Sequence, residues 1–165
     1  MPSDIADALV GMLPRLRRYA MTLCKAREAA DDLVQSACGR ALATNADRDD
    51  GAPFDAWMFR IVRNLWIDGF RKAKTEGSSE NIDEHGEIAG SDGRSDMESR
   101  LTLARVWQCI DLLPADQREV LLLVCVEEFS YKDAADVLGV PVGTVMSRLA
   151  RARLKLVEMT GGARG

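Results

Sequence analysis

Basic and hydroxyl side chains recur near the C-terminus at the spacing of one helical face. Residues 142–156 contain no acidic side chain, and one face of the helix that they predict carries Thr144, Ser147, Arg148, Arg151 and Lys155. At about 100° per residue these lie opposite an apolar stripe of Val142, Val145, Leu149, Ala152 and Leu156. Arginine can bond guanine through two hydrogen bonds, whereas hydroxyls and lysine contact phosphates. The pattern favours a helix that lies on double-stranded DNA, although alone it would equally fit a solvated helix face.

The preceding segment has the features of the turn in a helix-turn-helix. Ser130 precedes a short helical stretch and has Asp133 three residues later, which is a helix N-cap pattern. Gly139 can adopt the left-handed conformation that ends a helix, and Pro141 prevents that helix from continuing. Because this turn leads directly into the basic helix, the two features together indicate DNA binding.

A second basic surface is predicted on the helix from Phe54 to about Lys74. Its polar face carries Arg60, Arg63, Asn64 and Arg71, and the flanking aromatic residues are Phe59, Trp66 and Phe70. Bases of a single strand stack on aromatic rings while arginines hold the backbone, so the pattern suits melted nucleic acid. The alternative is that the aromatics complete a hydrophobic core and the arginines are solvated, which for this helix in isolation is the better supported interpretation.

Helical periodicity and the lack of alternating stretches predict an all-α protein. A segment rich in glycine, serine and acidic residues, 75–96, predicts a flexible linker between two small helical domains, residues 1–74 and 97–165. Each domain is expected to have its own core, with no fixed placement of one on the other. The expected helices are Asp4–Met12, Pro14–Cys24, Ala26–Ala43, Phe54–Lys74, Met97–Leu113, Ala115–Val126 and the two of the helix-turn-helix.

The formal net charge of −4 is confined to one segment. Residues 72–96 carry three basic and seven acidic side chains, whereas basic and acidic residues are equal in number on each side of that segment. The overall charge therefore does not exclude nucleic acid as a partner, because the flanking parts can present local basic faces.

Metal, cofactor and membrane signals are weak. The four cysteines, Cys24, Cys38, Cys109 and Cys125, are widely spaced in apolar surroundings, and His85 is the single histidine. We expect buried free thiols, no metal and no cofactor, with a redox switch as the lesser alternative. No apolar run reaches the length of a membrane span and the N-terminus does not resemble a targeting signal, so we expect a cytoplasmic protein without membrane insertion.

The order of these parts resembles a group IV, or extracytoplasmic-function, sigma factor of bacterial RNA polymerase, in the sigma-70 family. The most specific segment, LPADQREVLLLVCVEEFSYKDAADVLGVPVGTVMSRLARARLKL, resembles region 4. FDAWMFRIVRNLWIDGFRK is similar to regions 2.3 and 2.4, and AADDLVQSACGRAL is similar to region 2.2. The resemblance implies two sigma domains in a protein that binds core polymerase and directs it to specific promoters.

Individual positions match the functional surfaces of that family. Asp32, Leu33, Val34 and Gln35 match the region 2.2 surface that docks on the clamp helices of the polymerase β′ subunit. Arg60, Arg63, Asn64 and Arg71, with Trp66 beside them, match the helix that meets the melted minus-10 element, and Thr44–Pro53 matches the loop that captures a flipped base. Thr144, Ser147, Arg148 and Arg151 match the minus-35 reading helix, and Lys155 is expected to contact a phosphate. The family also implies the polymerase β flap and an anti-sigma factor as partners.

Three alternatives compete with a promoter-specificity subunit. A sigma-like decoy would bind an anti-sigma factor, but it need not keep basic faces at Arg60, Arg63, Arg148 and Arg151. A plain helix-turn-helix regulator would not need the N-terminal half. An enzyme is the least expected, because no nucleophile and base share a plausible face.

Overall fold

The computed structural model describes residues 2–45, 53–76 and 97–161, and every regular element within these ranges is helical. The elements are α1 (Pro2–Cys24), α2 (Arg27–Thr44), α3 (Phe54–Glu76), α4 (Met97–Asp111), α5 (Ala115–Leu121), a π-helical segment (Leu122–Val126), α6 (Tyr131–Leu138) and α7 (Val142–Met159). The expected all-α class is confirmed. Most of the Thr44–Pro53 loop and nearly all of the predicted linker lie outside the described residues.

The N-terminal half is a bundle of α1, α2 and α3, which all pack on one another. Helix α2 buries mainly small side chains, Ala30, Val34, Ala37 and Ala41, which allow its neighbours to approach closely. None of the described helices is long and apolar enough to cross a membrane.

Helix α1 runs without interruption through Pro14, where the sequence predicts a break. Leu9 and Met12 before the proline and Leu16 and Tyr19 after it are all buried, so both parts of the helix contribute to one core face. Pro14 itself is exposed. Packing of that continuous face outweighs the local cost of the missing N–H group, which explains why the prediction of two helices is wrong.

In the C-terminal half, α4 ends earlier than the predicted Leu113. The buried Arg118 of α5 donates through Nη1 to the carbonyl oxygens of Asp111 and Leu113, at 3.2 and 2.9 Å. These bonds satisfy carbonyl groups that the end of a helix leaves without partners. Burial lowers the pKa of Arg118, with Asp111 and Glu119 opposing that effect.

The helix-turn-helix forms as the sequence predicts. Ser130 Oγ accepts a 3.0 Å hydrogen bond from the Asp133 amide, and Gly139 ends α6 in the left-handed region with φ 70°. Helix α7 begins directly after Pro141. The residues of its stripe that are buried are Val145, Leu149 and Ala152, and Leu156 is half-buried. Val142 is 39% exposed, so its expected burial is wrong; it is the first residue of α7, where the helix enters from the turn.

The predicted helix Ala115–Val126 changes geometry halfway. Residues Leu122–Val126 form a π-helical turn, in which the amide of Glu127 donates to the carbonyl of Leu122 at 2.9 Å. Glu128 follows with φ 63°, and the amide of Phe129 donates to Leu123 at 3.0 Å. This geometry directs Glu127 and Phe129 toward the N-terminal half.

The two halves share one hydrophobic core in this arrangement, which differs from the expected pair of separate cores. Helix α3 packs on α6, and α1 packs on α5. Three rings join the halves: Tyr19 stacks on Phe59 at 4.9 Å, and Phe59 meets Phe129 edge-on at 5.1 Å. Phe59 is fully buried, so for this ring the interpretation as part of a hydrophobic core holds, and not the one as a stacking surface for bases.

Candidate functional site

Helix α7 presents the polar face predicted for duplex DNA. Ser147, Arg151 and Lys155 are exposed, and Thr144 is half-buried. Ser147 Oγ donates to the carbonyl of Thr144 at 3.3 Å, which orients the hydroxyl along the helix. Helix-turn-helix proteins contact bases mainly through the first turns of the second helix, which is where Thr144, Ser147 and Arg151 lie.

Arg148 differs from the other members of this face because it has an intramolecular partner. Its Nε lies 3.6 Å from Asp116 Oδ2 of α5, and its side chain is 25% exposed. The pair holds Arg148 against the supporting helix. Of the two predicted arginines, Arg151 is therefore the one whose side chain extends into solvent.

The predicted minus-10 surface on α3 is only partly exposed. Asn64 is exposed, and Arg60 and Trp66 are half-buried. Arg71 lies on α3, but its side chain, like that of Phe70, is outside the described residues. The structure thus brings Arg60, Arg63 and Asn64 together on one helix, with Arg63 covered by the C-terminal half.

Arg63 is bound by two groups of the C-terminal half. Its Nε donates to Glu119 Oε2 at 2.6 Å and its Nη2 to Glu119 Oε1 at 3.4 Å. Nη1 lies 3.5 Å from the carbonyl oxygen of Leu138, at the end of α6. Tyr19 also donates to Glu119 Oε2, at 2.8 Å. The Arg63 and Glu119 side chains are only 19% and 7% exposed, so this network is largely shielded from water.

The network changes the proton affinity of its members. Burial lowers the pKa of Arg63, but the hydrogen bonds and charge of Glu119 raise it by more, so the guanidinium stays charged. The pKa of Tyr19 lies well above its ordinary value because the ring is fully buried, with the charge and hydrogen bond of Glu119 adding to that effect.

A second carboxylate of the C-terminal half, Glu127, binds two arginines of α1. Arg15 Nε donates to Glu127 Oε1 at 2.6 Å, and Arg18 Nη2 donates to Oε2 at 2.7 Å. The Glu127 side chain is 1% exposed. Arg15 also pairs with Asp55 at 3.2 Å and lies over the Phe59 and Phe129 rings, at 5.5 and 5.8 Å from their centroids.

These two buried carboxylates were not predicted as functional residues. Both belong to the C-terminal half, whereas the arginines that they bind, Arg15, Arg18 and Arg63, belong to the N-terminal half. One signal was available in the sequence: Glu119 and Glu127 flank VLLLVCV, the most apolar run of the chain. A carboxylate beside such a run is seldom buried unless a cation pairs with it.

The predicted polymerase-docking residues separate into surface and core. Asp32 and Gln35 are exposed, and Leu33 is half-buried. Val34 is 4% exposed and packs in the core, so its predicted place on the docking surface is wrong in this arrangement. Successive residues of a helix point in directions about 100° apart, so Val34 can face the bundle while Asp32 and Gln35 face solvent.

The four cysteines are free, with unequal exposure. Cys109 is buried, Cys24 and Cys38 are half-buried, and Cys125 is exposed, which corrects the expectation that all are buried. Burial raises the pKa of the Cys24 thiol to about 11. Within the described ranges, no group of three or more histidine, cysteine or acidic side chains could hold a metal ion.

Two family models match the chain in the order of its halves. Sigma-70 region 2 matches residues 9–76, and Sigma-70 region 4 matches residues 103–156. The second match contains α5, the π-helical segment, α6 and most of α7.

Curated relatives extend along most of the chain. It is 36% identical over 156 residues to the ECF RNA polymerase sigma factor EcfG of Rhodopseudomonas palustris, covering 94% of this chain and 84% of that protein. It is 31% identical over 147 residues to the ECF sigma factor SigM of Mycobacterium tuberculosis, covering 89% and 72%.

Solved structures share the arrangement of helices. The sigma factor RpoE of Bartonella quintana, in complex with the anti-sigma factor NepR, matches with a TM-score of 0.81 and 31% identity, over 98% of this chain and 99% of that chain. CnrH, in complex with the cytosolic domain of CnrY, matches with a TM-score of 0.66 and 28% identity, over 95% and 87%.

Proposed function

Because this chain belongs to the extracytoplasmic-function sigma factors of the sigma-70 family, we propose how its two halves divide the work of promoter recognition. The chain is an alternative sigma factor that directs promoter-specific transcription. Its family consists of transcription initiation factors. A decoy that only sequesters an anti-sigma factor is not favoured, since sequence and structure both match sigma factors along most of the chain.

The C-terminal half reads the minus-35 element through α7. The observation that supports this most strongly is the exposed face of Ser147, Arg151 and Lys155 on a helix whose first fifteen residues include no acid. Arg151 is assigned to a base edge and Lys155 to a phosphate, with Thr144 and Ser147 beside them. Arg148 is also assigned to the minus-35 element. It contacts DNA either after its ion pair with Asp116 breaks or while that ion pair is kept.

The N-terminal half holds the melted minus-10 strand and docks on polymerase. Arg60, Arg63, Asn64, Trp66 and Arg71 are assigned to the strand, and Asp32, Leu33 and Gln35 to the β′ clamp helices. Unstacking a base costs a few kcal/mol, which contacts to strand and polymerase together can offset. The region 4 half is assigned to the β flap, and we place the protein in the cytoplasm with these partners.

An anti-sigma factor is the further partner that we assign. RpoE of Bartonella quintana and CnrH were each solved with a regulator, the anti-sigma factor NepR and the cytosolic domain of CnrY respectively. Both matches extend over nearly the whole of this chain, which supports a regulator of this class as a partner.

Co-elution with core polymerase, followed by transcription from a promoter library, tests the assignment. The full chain is mixed with core polymerase, and the purified complex transcribes templates with randomised minus-35 and minus-10 windows. Enrichment of one motif in each window is the expected result. Absence of co-elution, or transcripts without sequence preference, would contradict the proposed division of work.

A further inference from the structure

We propose that Glu119 is an internal competitor of promoter DNA for the Arg63 guanidinium, so that the packed arrangement keeps the minus-10 surface closed. The proposal rests on the assignment of Arg63 to that surface. It adds a regulatory role for a carboxylate of the C-terminal half, which occupies the site where a phosphate of the melted strand would bind.

The geometry of the Arg63 contact suits such an exchange. Glu119 binds Nε and Nη2 of Arg63 through its two oxygens, at 2.6 and 3.4 Å. A phosphate also presents two oxygens to one edge of a guanidinium, so a phosphate can accept the same pair of hydrogen bonds as the carboxylate. Tyr19 orients the Glu119 carboxylate by donating to Oε2 at 2.8 Å.

The Glu119 carboxylate and a phosphate cannot bind Arg63 at the same time. The remaining guanidinium nitrogen, Nη1, faces the Leu138 carbonyl at 3.5 Å, so all three nitrogens of Arg63 meet groups of the C-terminal half. Arg63 is 19% exposed and Glu119 is 7% exposed, which leaves no room for a strand beside them. A phosphate therefore reaches Arg63 only when α5 and the end of α6 move away.

Glu127 holds the two halves together at a different place. It binds Arg15 and Arg18 of α1 and makes no hydrogen bond to Arg63. The two carboxylates thus have separable consequences: loss of Glu127 weakens the contact between the halves, whereas loss of Glu119 also leaves Arg63 without its internal anion. The test therefore concentrates on Glu119.

The test measures binding of the full chain, without polymerase, to a fluorescein-labelled single-stranded oligonucleotide of mixed sequence. Fluorescence anisotropy is recorded at several salt concentrations for the parent, Glu119→Gln, Glu119→Ala and the double variant Glu119→Gln with Arg63→Ala. Glu128→Gln is the matched control, because it removes the same charge from an exposed residue next to Glu127.

We expect Glu119→Gln and Glu119→Ala to bind the oligonucleotide severalfold more tightly than the parent. One additional phosphate contact should also steepen the slope of log affinity against log salt by about 0.7. Glu128→Gln should match the parent, and the double variant should lose both the gain and the steeper slope. A gain that persists in the double variant, or no gain in either Glu119 variant, would overturn the proposal.

Two further measurements keep the outcome interpretable. Far-UV circular dichroism reports whether each variant keeps its helices. If both Glu119 variants lose helicity, Tyr19→Phe is used instead, because it removes only the hydrogen bond that orients the Glu119 carboxylate. A smaller gain in oligonucleotide affinity is then expected, and an unchanged affinity would overturn the proposal. Co-elution of the parent chain with core polymerase is scored separately. If the parent chain did not co-elute with core polymerase, the proposed function would be refuted. The competition between Glu119 and an anion for Arg63 would still be decided by the oligonucleotide affinities.

Discussion

Arg148 and Arg151 lie almost one turn apart on α7, but their surroundings differ. Arg148 is within 3.6 Å of Asp116, whereas Arg151 is exposed. An arginine that is already paired must give up or share its partner before it contacts a base. An exposed arginine loses only the conformational entropy of its own side chain. The sequence pattern treats the two as equivalent, because both fall on the same face.

Arg151→Ala should therefore relax base preference at one minus-35 position, by about 1–3 kcal/mol between the preferred base and the others. The measurement is the affinity of the polymerase-bound protein for duplexes with single-base changes in the minus-35 element. Arg153→Ala is the control, since Arg153 is exposed on the same helix but lies near Cys125, with its Nη2 4.0 Å from that sulfur. Equal base preference in the parent and in Arg151→Ala would refute the assignment.

Lys155→Ala should weaken binding on every minus-35 sequence alike. Lys155 is exposed near the end of α7, beyond the turns that meet base edges, so a contact with a phosphate is expected. Loss of one phosphate contact lowers the slope of log affinity against log salt by about 0.9 on duplex DNA. A change confined to one base position would show that Lys155 reads sequence instead.

Cys24 should alkylate far more slowly than Cys125. The pKa of the Cys24 thiol is raised to about 11 by burial, and Cys125 is exposed. At pH 8 only about 0.1% of a thiol with that pKa is thiolate, the form that reacts. Iodoacetamide treatment of the native protein, followed by peptide mass spectrometry, gives the order of labelling. Labelling of Cys24 before Cys125 would contradict the burial of Cys24.

Among the elements, those whose limits depend on local chemistry were predictable. Within twelve residues, Ser130 caps the start of α6, Gly139 ends α6, and Pro141 precedes the start of α7. The structure has all three features. Helix α1 was mispredicted because the rule that proline breaks helices is local, whereas the continuous buried face across Pro14 depends on α2 and α3. The π-helical turn has no periodicity signal within a uniformly apolar run.

Gly139→Ala should destabilise the protein by about 1–2 kcal/mol, because Gly139 has φ 70° and an L-residue is strained there. An added Cβ would meet nothing within 4 Å, so the backbone is the whole cause. Gly39→Ala is the matched control: Gly39 lies inside α2 with the same open space, and alanine there should stabilise by about 0.5–1 kcal/mol. Urea unfolding of both variants checks the opposite signs.

For the whole molecule, the packing of one half on the other could not be read from the sequence. The ion pairs that join the halves link residues 56 to 112 positions apart, and no periodicity connects such positions. The basic and aromatic residues of the N-terminal half indicated an anionic partner. In this arrangement that anion is supplied by the chain itself, through Glu119 and Glu127.

Alkaline pH should weaken the packed arrangement through Tyr19. Its pKa is raised well above the ordinary value by burial and by Glu119, so the folded protein keeps a proton that the unfolded chain loses. The stability that depends on this proton is present below about pH 10 and is lost as pH rises further. Tyr19→Phe cannot ionise, so its free energy of unfolding should fall less above pH 10 than that of the parent. Parallel pH profiles from urea unfolding would contradict this.

The π-helical turn at Leu122–Val126 makes chain length a determinant of the fold. Each of its hydrogen-bonded rings spans one residue more than a ring of an α-helix. Deleting a single residue there, such as Val124, would allow ordinary helical closure and would rotate all that follows by about 100° relative to α5. Glu119 would still face Arg63, while Glu127 would turn away from Arg15. Substitution scans preserve length and would miss this dependence, whereas one deletion would reveal it.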